Sequence, residues 1–229
     1  MINLHRKQMN ILIAGASGLV GSELLELAQS NTEIKSIHLI GRRKLEIEDS
    51  KIEQHIVAFS DLEKFKINTS IDTVFCCLGT TIKKAGTQEK FKLVDYNYVV
   101  NLANWTKVNG ANQFVVVSAM GASPKSSVFY SKVKGQMQEA ISNLNIPSVS
   151  ILQPSLLMGN RPEFRLGEKI AIGLMSVLNI FFVGPLKKYK SIQAQTVASA
   201  MFNLSKNCQP GVTIFTNDEL FNLAKKTTA

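Results

Sequence analysis

The chain has 229 residues, of which 45% are hydrophobic and 19% are charged. It is long enough to bury one substantial core, and these proportions exclude fibrous, collagen-like and disordered proteins. Lysine and arginine (26) outnumber aspartate and glutamate (17), so the formal charge of +9 favours anionic ligands. Because the basic residues are dispersed in short clusters, we predict no specific binding of nucleic acid.

The cysteine content indicates a reducing compartment. Cys76, Cys77 and Cys208 have the spacing neither of a disulfide framework nor of a C-x-x-C metal site, and we predict no metal site. The simplest compartment for such a protein is the cytoplasm. The first ten residues lack the features of a secretory signal, and the longest apolar run, residues 170–183, is shorter than the ~20 residues that span a bilayer. We therefore predict no membrane span.

Short runs rich in Ile and Val alternate with amphipathic stretches from residue 10 onward. This alternation is typical of βαβ units stacked on a parallel sheet. The predicted strands cover residues 10–14, 36–40, 53–58, 73–78, 113–118 and 148–152, and predicted helices begin near Gly18, Gln88, Lys125 and Gly167. The sequence thus predicts an α/β fold, a Rossmann-type doubly wound parallel sheet with a small C-terminal lobe. We expect a single domain over residues 1–229, with a substrate-side extension from about residue 155.

The first predicted strand leads into a glycine-rich turn that precedes the first helix. The turn has the spacing G-x-x-G-x-x-G, a variant of the dinucleotide fingerprint. Glycines are needed there because side chains would keep the backbone away from a pyrophosphate, whose charge meets the free amides of the helix N-terminus. The cofactor contacts predicted at this turn are Gly15, Ser17, Gly18, Leu19, Val20 and Gly21.

Two arginines, Arg42 and Arg43, follow the second predicted strand. They lie about 20 residues beyond the glycine turn, where an acidic residue would bind the adenosine ribose of NAD. A guanidinium instead matches a 2′-phosphate with paired hydrogen bonds, so we predict NADP(H) as the cofactor. Four further residues after the third and fourth strands are predicted to line the adenine and the ribose: Asp61, Leu62, Leu78 and Gly79.

The catalytic candidates follow the fifth predicted strand. Ser118 ends that strand, and Tyr130 and Lys134 lie at i and i+4 on one face of the next helix. The Lys134 ammonium is expected to lower the pKa of Tyr130, which would then act as a general acid or base, and to reach the nicotinamide ribose. Ser118 is expected to donate a hydrogen bond to the carbonyl of a substrate.

These motifs resemble the short-chain dehydrogenase/reductase superfamily in its extended and atypical branches. Within it, four stretches are similar to the Tat-interacting-protein oxidoreductases, an atypical NADPH-binding reductase group: residues 41–45 (GRRKL), 75–81 (FCCLGTT), 84–86 (KAG) and 134–135 (KG). The resemblance covers residues 10 to about 168. It implies an NADPH-binding Rossmann fold, with Tyr130 as the proton donor, Lys134 as its partner, and further cofactor contacts from Leu157 and Arg165.

Two positions depart from the pattern of that family. Asp95 stands where many relatives have an asparagine in their proton relay, and Pro154-Ser155 stands where they have Pro-Gly beside the nicotinamide. The first departure bears on proton transfer, and the second bears on the shape of the nicotinamide pocket.

The leading functional hypothesis is an NADPH-dependent oxidoreductase that transfers hydride to a carbonyl or related group of an unknown small substrate. The alternative is an NADP(H)-sensing regulatory protein with a protein partner and little or no turnover. A third hypothesis, an epimerase or dehydratase that acts on a nucleotide sugar with NAD, is disfavoured by the arginine pair and the short C-terminal part. A homodimer formed through the helix predicted at 125–144 is also open.

Overall fold

A seven-stranded parallel sheet dominates the computed structural model, which describes residues 8–159 and 189–225. Its strands, in chain order, are β1 (Met9–Ala14), β2 (Ile34–Gly41), β3 (Ile52–Ile56), β4 (Thr73–Cys76), β5 (Gln113–Val117), β6 (Ser148–Gln153) and β9 (Gly211–Thr216). Two short strands, β7 (Leu157–Met158) and β8 (Ile192–Gln193), form a separate parallel pair.

Helices cover both faces of the sheet. They are α1 (Leu19–Gln29), α2 (Ile82–Ala85), α3 (Gln88–Lys92), α4 (Tyr98–Val108), α5 (Phe129–Ser142), α6 (Ala194–Lys206) and α7 (Asn217–Ala224). A π-helical turn, Leu93–Asn97, joins α3 to α4, and a 3₁₀ turn covers Leu62–Lys64. One apolar cluster lies between the sheet and α1, α6 and α7, and a second lies between the opposite face and α4 and α5.

The strand order places the crevice of the sheet beside β1. The order is β3–β2–β1–β4–β5–β6–β9, so the chain winds outward from β1 in one direction and then returns to continue in the other. In register, Ala14 at the end of β1 lies between Ile40 of β2 and Cys76 of β4. Ligands of open α/β sheets bind at the carboxyl ends of the strands at such a reversal.

The predicted fold class is confirmed, with strands at all six predicted positions and helices beginning at Leu19 and Gln88. The helix predicted near Lys125 begins instead at Phe129. The hydroxyls of Ser123 and Ser126 accept hydrogen bonds from the amides of Lys125 and Val128, and these local turns replace the first helical turn. The helix predicted near Gly167 lies outside the described residues.

The last part of the chain contributes to the main sheet, which the sequence analysis missed. Strand β9 pairs in parallel with β6 along its whole length. Helix α6 packs on α1, and the side-chain amide of Gln113 in β5 donates to the carbonyl of Leu204 in α6. Among the described residues, no helix has the length and apolar character needed to cross a bilayer; the apolar run at 170–183 lies outside them.

Candidate active site

The glycine turn packs against the end of β4 too closely for side chains. Gly15 has a φ of +86°, and a Cβ on it would lie 2.7 Å from the carbonyl oxygen of Cys77. A Cβ on Gly21 would lie 2.1 Å from the Gly15 carbonyl oxygen, and the Gly18 amide donates to that same oxygen at 2.9 Å. The turn therefore requires glycine at positions 15 and 21, whereas a Cβ on Gly18 would make a tight contact of 3.1 Å with the Gly15 carbonyl oxygen.

The turn opens on the N-terminus of α1. Gly18 is the N-cap residue and provides no side-chain hydrogen bond, so side chains do not satisfy the first amides of the helix there. Ser17 is exposed and Leu19 is half-buried, whereas the Val20 side chain packs in the core. Val20 can thus offer a cofactor only its backbone. Free amides, the positive end of α1 and space for close approach fit a pyrophosphate.

The two arginines lie beside this turn. Gly41 ends β2 next to the end of β1, and Arg42 and Arg43 follow it as exposed residues. Neither guanidinium forms a salt bridge with any residue in the described parts of the chain. Their position at the same edge as the glycine turn fits a phosphate of the adenosine end.

The candidate adenine contacts differ from each other in burial. Asp61 is exposed and pairs with Lys64 at 3.5 Å, whereas Leu62 is 1% exposed and belongs to the core. Leu62 can therefore contribute only backbone atoms to a ligand. Nothing in the described region joins either residue directly to the glycine turn.

The segment after β4 links the glycine turn to the catalytic candidates. The Cys77 amide donates to the Ala14 carbonyl at 2.8 Å, which holds the ends of β4 and β1 together. Leu78 is half-buried, and Gly79, which is exposed, comes next. A Cβ on Gly79 would lie 3.9 Å from Nζ of Lys134. Leu78 and Gly79 thus lie between the two halves of the site, and their contact with the cofactor ribose stays a prediction.

The segment after β6 reaches the start of α1. Leu157 is half-buried in β7 and packs against the core below α1. A Cβ on Gly159 would lie 2.7 Å from a methyl group of Leu19, so the backbone of this segment crosses the first turn of the helix. The segment that contains Leu157 thus runs beside the start of α1, and the cofactor contact of Leu157 stays a prediction. Arg165 lies outside the described residues.

Tyr130 and Lys134 lie one turn apart on α5, as predicted, but Lys134 has an unexpected partner. Its Nζ lies 2.7 Å from Oδ1 of Asp95, and both side chains are almost fully buried. The other carboxylate oxygen, Oδ2, accepts a hydrogen bond from the Thr80 amide at 2.8 Å. Asp95 lies in the π-helical turn between α3 and α4, a kind of irregularity frequent at functional sites.

This ion pair corrects the prediction for the Tyr130 pKa. Burial raises the pKa of Tyr130, Lys134 acts to lower it and Asp95 acts to raise it, and the net result is a raised pKa. For Lys134, burial alone would lower the pKa, but Asp95 and Tyr130 outweigh it and the pKa is raised. The expected lowering of the Tyr130 pKa was wrong because the sequence does not show burial or the partner of Lys134. Tyr130 is therefore protonated at neutral pH.

Ser118 has a neighbour that the sequence analysis did not predict, and its predicted hydrogen bond to a substrate stays a prediction. Its hydroxyl is buried and accepts a hydrogen bond of 2.6 Å from the side-chain amide of Gln138. Gln138 in turn accepts one from Gln153 at 3.1 Å. Gln138 lies eight residues, or about two turns, beyond Tyr130. No hydrogen bond within the described structure joins Ser118 to Tyr130.

Sequence reasoning missed Gln138, although a signal was present. It continues the i, i+4 stripe of Tyr130 and Lys134 along the same face of α5.

Gly135 allows α5 to pack closely against the segment before it, since a Cβ on Gly135 would lie 2.1 Å from the carbonyl carbon of Ser123. The ring of Tyr130 packs against Phe91 of α3, with ring centroids 5.5 Å apart.

Cys76 is the last residue of β4, and Cys77 follows it directly. Cys76 is fully buried, and desolvation raises the pKa of its thiol to about 12. The Cys77 thiol contacts the sulfur of Met201 at 3.9 Å, and burial raises its pKa as well. Both are protonated packing residues at neutral pH.

The fold and the site define a dinucleotide-binding Rossmann protein of the dehydrogenase/reductase type. Residues 10–120 match the family model of the semialdehyde dehydrogenase NAD-binding domain. The chain is 36% identical to protein HTATIP2 of Rattus norvegicus over 166 residues, 71% of this chain and 68% of that protein. It is 30% identical to the mitochondrial protein FMP52-1 of Scheffersomyces stipitis over 227 residues, 95% of this chain and 100% of that protein. The chain belongs to the HTATIP2/FMP52 family, the Tat-interacting protein family, which confirms the resemblance seen in the sequence.

A solved structure supports the fold. MoeE5 in complex with UDP-glucose and NAD superimposes with a TM-score of 0.66 at 14% identity, covering 96% of this chain and 82% of that chain. At this identity the likeness concerns the fold alone. It agrees with the family-model match at residues 10–120, which is to an NAD-binding domain.

The relatives correct the predicted compartment. The family members from fungi are named as mitochondrial proteins, so the prediction of a cytoplasmic protein was wrong. The physical reason is that free cysteines distinguish reducing from oxidising compartments but do not distinguish one reducing compartment from another.

Proposed function

We propose that this protein is an NADPH-dependent oxidoreductase that reduces the carbonyl or a related group of a small substrate, with Tyr130 as the proton donor. The observation that carries the proposal is the placement of Lys134 next to Gly79, at the same strand ends as the glycine turn, with Tyr130 one helical turn from Lys134 and within its electrostatic influence. A dinucleotide that lies across the crevice from Arg42 would bring its reactive end to these side chains.

The residues present fit an NADP-type dinucleotide. The glycine turn and the free amides of α1 would hold the pyrophosphate, and Arg42 and Arg43 would pair with the 2′-phosphate. When bound, NADPH supplies the hydride. Lys134 has three N–H donors, so after pairing with Asp95 it retains donors for the nicotinamide ribose.

The protonation state of Tyr130 favours reduction. As hydride arrives at the carbonyl carbon, negative charge develops on the carbonyl oxygen, and the Tyr130 hydroxyl donates its proton there. The resulting phenolate is stabilised by the Lys134 ammonium and regains a proton from solvent. The reverse reaction needs Tyr130 as a phenolate at the start, and the raised pKa of Tyr130 disfavours that state.

One observation favours a second candidate, an NADP(H)-sensing protein with little or no turnover. The Ser118 hydroxyl, which is expected to serve a substrate, is only 5% exposed and already accepts a hydrogen bond from Gln138. Such a protein would show no turnover on a broad carbonyl panel, while NADPH would change its capture of a protein partner. The nucleotide sugar in MoeE5 supports no third candidate, since that likeness concerns the fold alone.

The test is NADPH consumption with a panel of aldehydes, ketones and quinones, followed by absorbance. We expect Tyr130→Phe to lower kcat about 10²–10⁴-fold, the usual contribution of a general acid, while NADPH binding is retained. Tyr98→Phe is the matched control, because that ring stacks on Phe59 elsewhere on the sheet and should leave turnover unchanged. Equal loss of turnover and NADPH binding in Tyr130→Phe would contradict the assignment.

A further inference from the structure

We propose that His38, Glu53 and His55 form a binding site for a divalent transition-metal ion, with Zn²⁺ as the ion of best fit. The three side chains lie on β2 and on the edge strand β3, outside the site described above. The His55 ring packs edge-on against Phe65, which stacks on Trp105, so the cluster lies on the face of the sheet that α4 covers.

The strand register brings the three ligands together. His38 of β2 is paired with Glu53 of β3, and residues paired in register point to the same face of a parallel sheet. His55 follows Glu53 by two residues, so it points to that face as well. The cluster is thus fixed by the backbone of two paired strands rather than by a loop.

The distances between the ligand atoms are close to the edges of a tetrahedron. Nδ1 of His38 lies 3.2 Å from Nε2 of His55. Oε2 of Glu53 lies 3.5 Å from Nδ1 of His38, and the other carboxylate oxygen, Oε1, lies 3.6 Å from Nε2 of His55. With one ligand atom taken from each residue, the three atoms lie within 4.8 Å of one another. Zn²⁺ bound to nitrogen and oxygen at about 2.0–2.1 Å in a tetrahedron separates its ligands by about 3.3 Å. Two imidazoles and a carboxylate are also a donor set that Zn²⁺ favours.

A chain of hydrogen bonds fixes which nitrogen of His38 faces the cluster. The Asn10 side-chain amide donates to the Ser70 carbonyl, so its oxygen is free to accept the Ser36 hydroxyl proton at 2.9 Å. The Ser36 oxygen must then accept from Nε2–H of His38, at 3.1 Å. The Nδ1 lone pair of His38 is thereby directed at the other two ligands. Ligating histidines commonly have such a partner on the second nitrogen.

The burial of the three side chains also fits a metal site. His38 is 2% exposed, so its imidazole is held in place by the surrounding core. His55 is 14% exposed and Glu53 63%, so the cluster opens to solvent on one side. An ion could enter there and keep water as its fourth ligand. An ion bound in this way would link the edge strand β3 to β2.

The experiment uses the full-length protein, freed of metal with a chelator and titrated with ZnCl₂ in a calorimeter. We expect one Zn²⁺ per chain, a rise in Tm on loading, and a tetrahedral absorption spectrum when Co²⁺ replaces Zn²⁺. His55→Asn and Glu53→Gln should each weaken binding by at least about tenfold. Ser36→Ala, which acts through His38, should weaken it by about tenfold as well.

Two control variants distinguish this site from other side chains that could bind Zn²⁺. Glu48→Gln removes the same charge from an exposed residue shortly before β3 and should leave the affinity unchanged. His5→Asn changes the chain's remaining histidine and should also have no effect. Failure of the unaltered protein to bind Zn²⁺, or binding that survives in both His55→Asn and Glu53→Gln, would overturn the proposal. The two histidines would then form only a hydrogen-bonded pair.

Discussion

The carboxylate of Asp95 lies 2.7 Å from the ammonium of Lys134 in the interior of the protein, where both side chains are almost fully buried. The two residues come from different elements, the π-helical turn and α5, and they meet at Gly79. This pair sets the charge state of the catalytic candidates. Asp95 keeps Lys134 charged, and it opposes the lowering of the Tyr130 pKa by Lys134.

The first prediction concerns the stability that this pair provides. Asp95→Asn leaves the Lys134 ammonium buried without a counter-charge, so we expect the free energy of unfolding to fall by about 3 kcal/mol. The double variant Asp95→Asn/Lys134→Met should regain most of that loss, because a neutral pair has no buried charge to compensate. Urea unfolding of the three proteins measures both effects. A loss below about 1 kcal/mol in the single variant would mean that Lys134 is not held as a buried cation.

The second prediction concerns alkaline pH. The pKa of Tyr130 is raised above its ordinary value of 10.0, so above pH 10 the unfolded chain loses this proton while the folded protein keeps it. Folding stability from this group is therefore undiminished below pH 10 and declines as the pH rises from there towards the folded pKa. We expect Tyr130→Phe to lose stability less steeply than the unaltered protein above pH 10, as measured by urea unfolding. Tyr98→Phe serves as control, and identical slopes for all three proteins would contradict the raised pKa.

The third prediction concerns cofactor selectivity. Replacing both Arg42 and Arg43 with alanine should weaken NADPH binding about 10–100-fold, since charge-assisted hydrogen bonds to a 2′-phosphate are lost, and should leave NADH binding unchanged. Lys44→Ala removes an adjacent exposed cation and should have a small effect on both cofactors. Fluorescence titration with each cofactor gives the affinities. An equal loss for NADPH and NADH would indicate general charge attraction instead of a phosphate site.

The fourth prediction concerns the glycine turn. Gly21→Ala would place a methyl group 2.1 Å from the Gly15 carbonyl oxygen, so α1 must shift away from the turn. We expect a loss of about 2 kcal/mol in stability, together with loss of dinucleotide binding. Ser22→Ala, at the next position of α1 and exposed, should preserve both. A fully stable Gly21→Ala that still binds NADPH would show that the turn tolerates a wider spacing.

Those parts of the fold and site that depend on local spacing could be predicted from the sequence. The glycine turn, the arginines after β2 and the Tyr130–Lys134 pair are each encoded within a few residues. The partners of these residues depend on packing between distant segments: Asp95 comes from another helix, and Gln138 meets Ser118 only when α5 lies on β5. The His38, Glu53 and His55 cluster depends on the register of β2 and β3, which the sequence alone does not specify.

The missed C-terminal elements have a similar explanation. Strand β9 is an edge strand whose residues are mostly exposed or half-buried, so it has no continuous apolar run like the central strands. It belongs to the sheet because it pairs with β6, and α6 covers the side of the sheet shared with α1.

The most direct test of the central claim is a calorimetric titration of the purified, cofactor-free protein with NADPH and NADH side by side. We predict that one NADPH binds per chain and that NADPH binds at least about tenfold more tightly than NADH, because Arg42 and Arg43 meet the additional phosphate. Equal affinity for the two cofactors, or no binding of either, would contradict the assignment of the glycine turn and the arginine pair, and with it the proposed reductase.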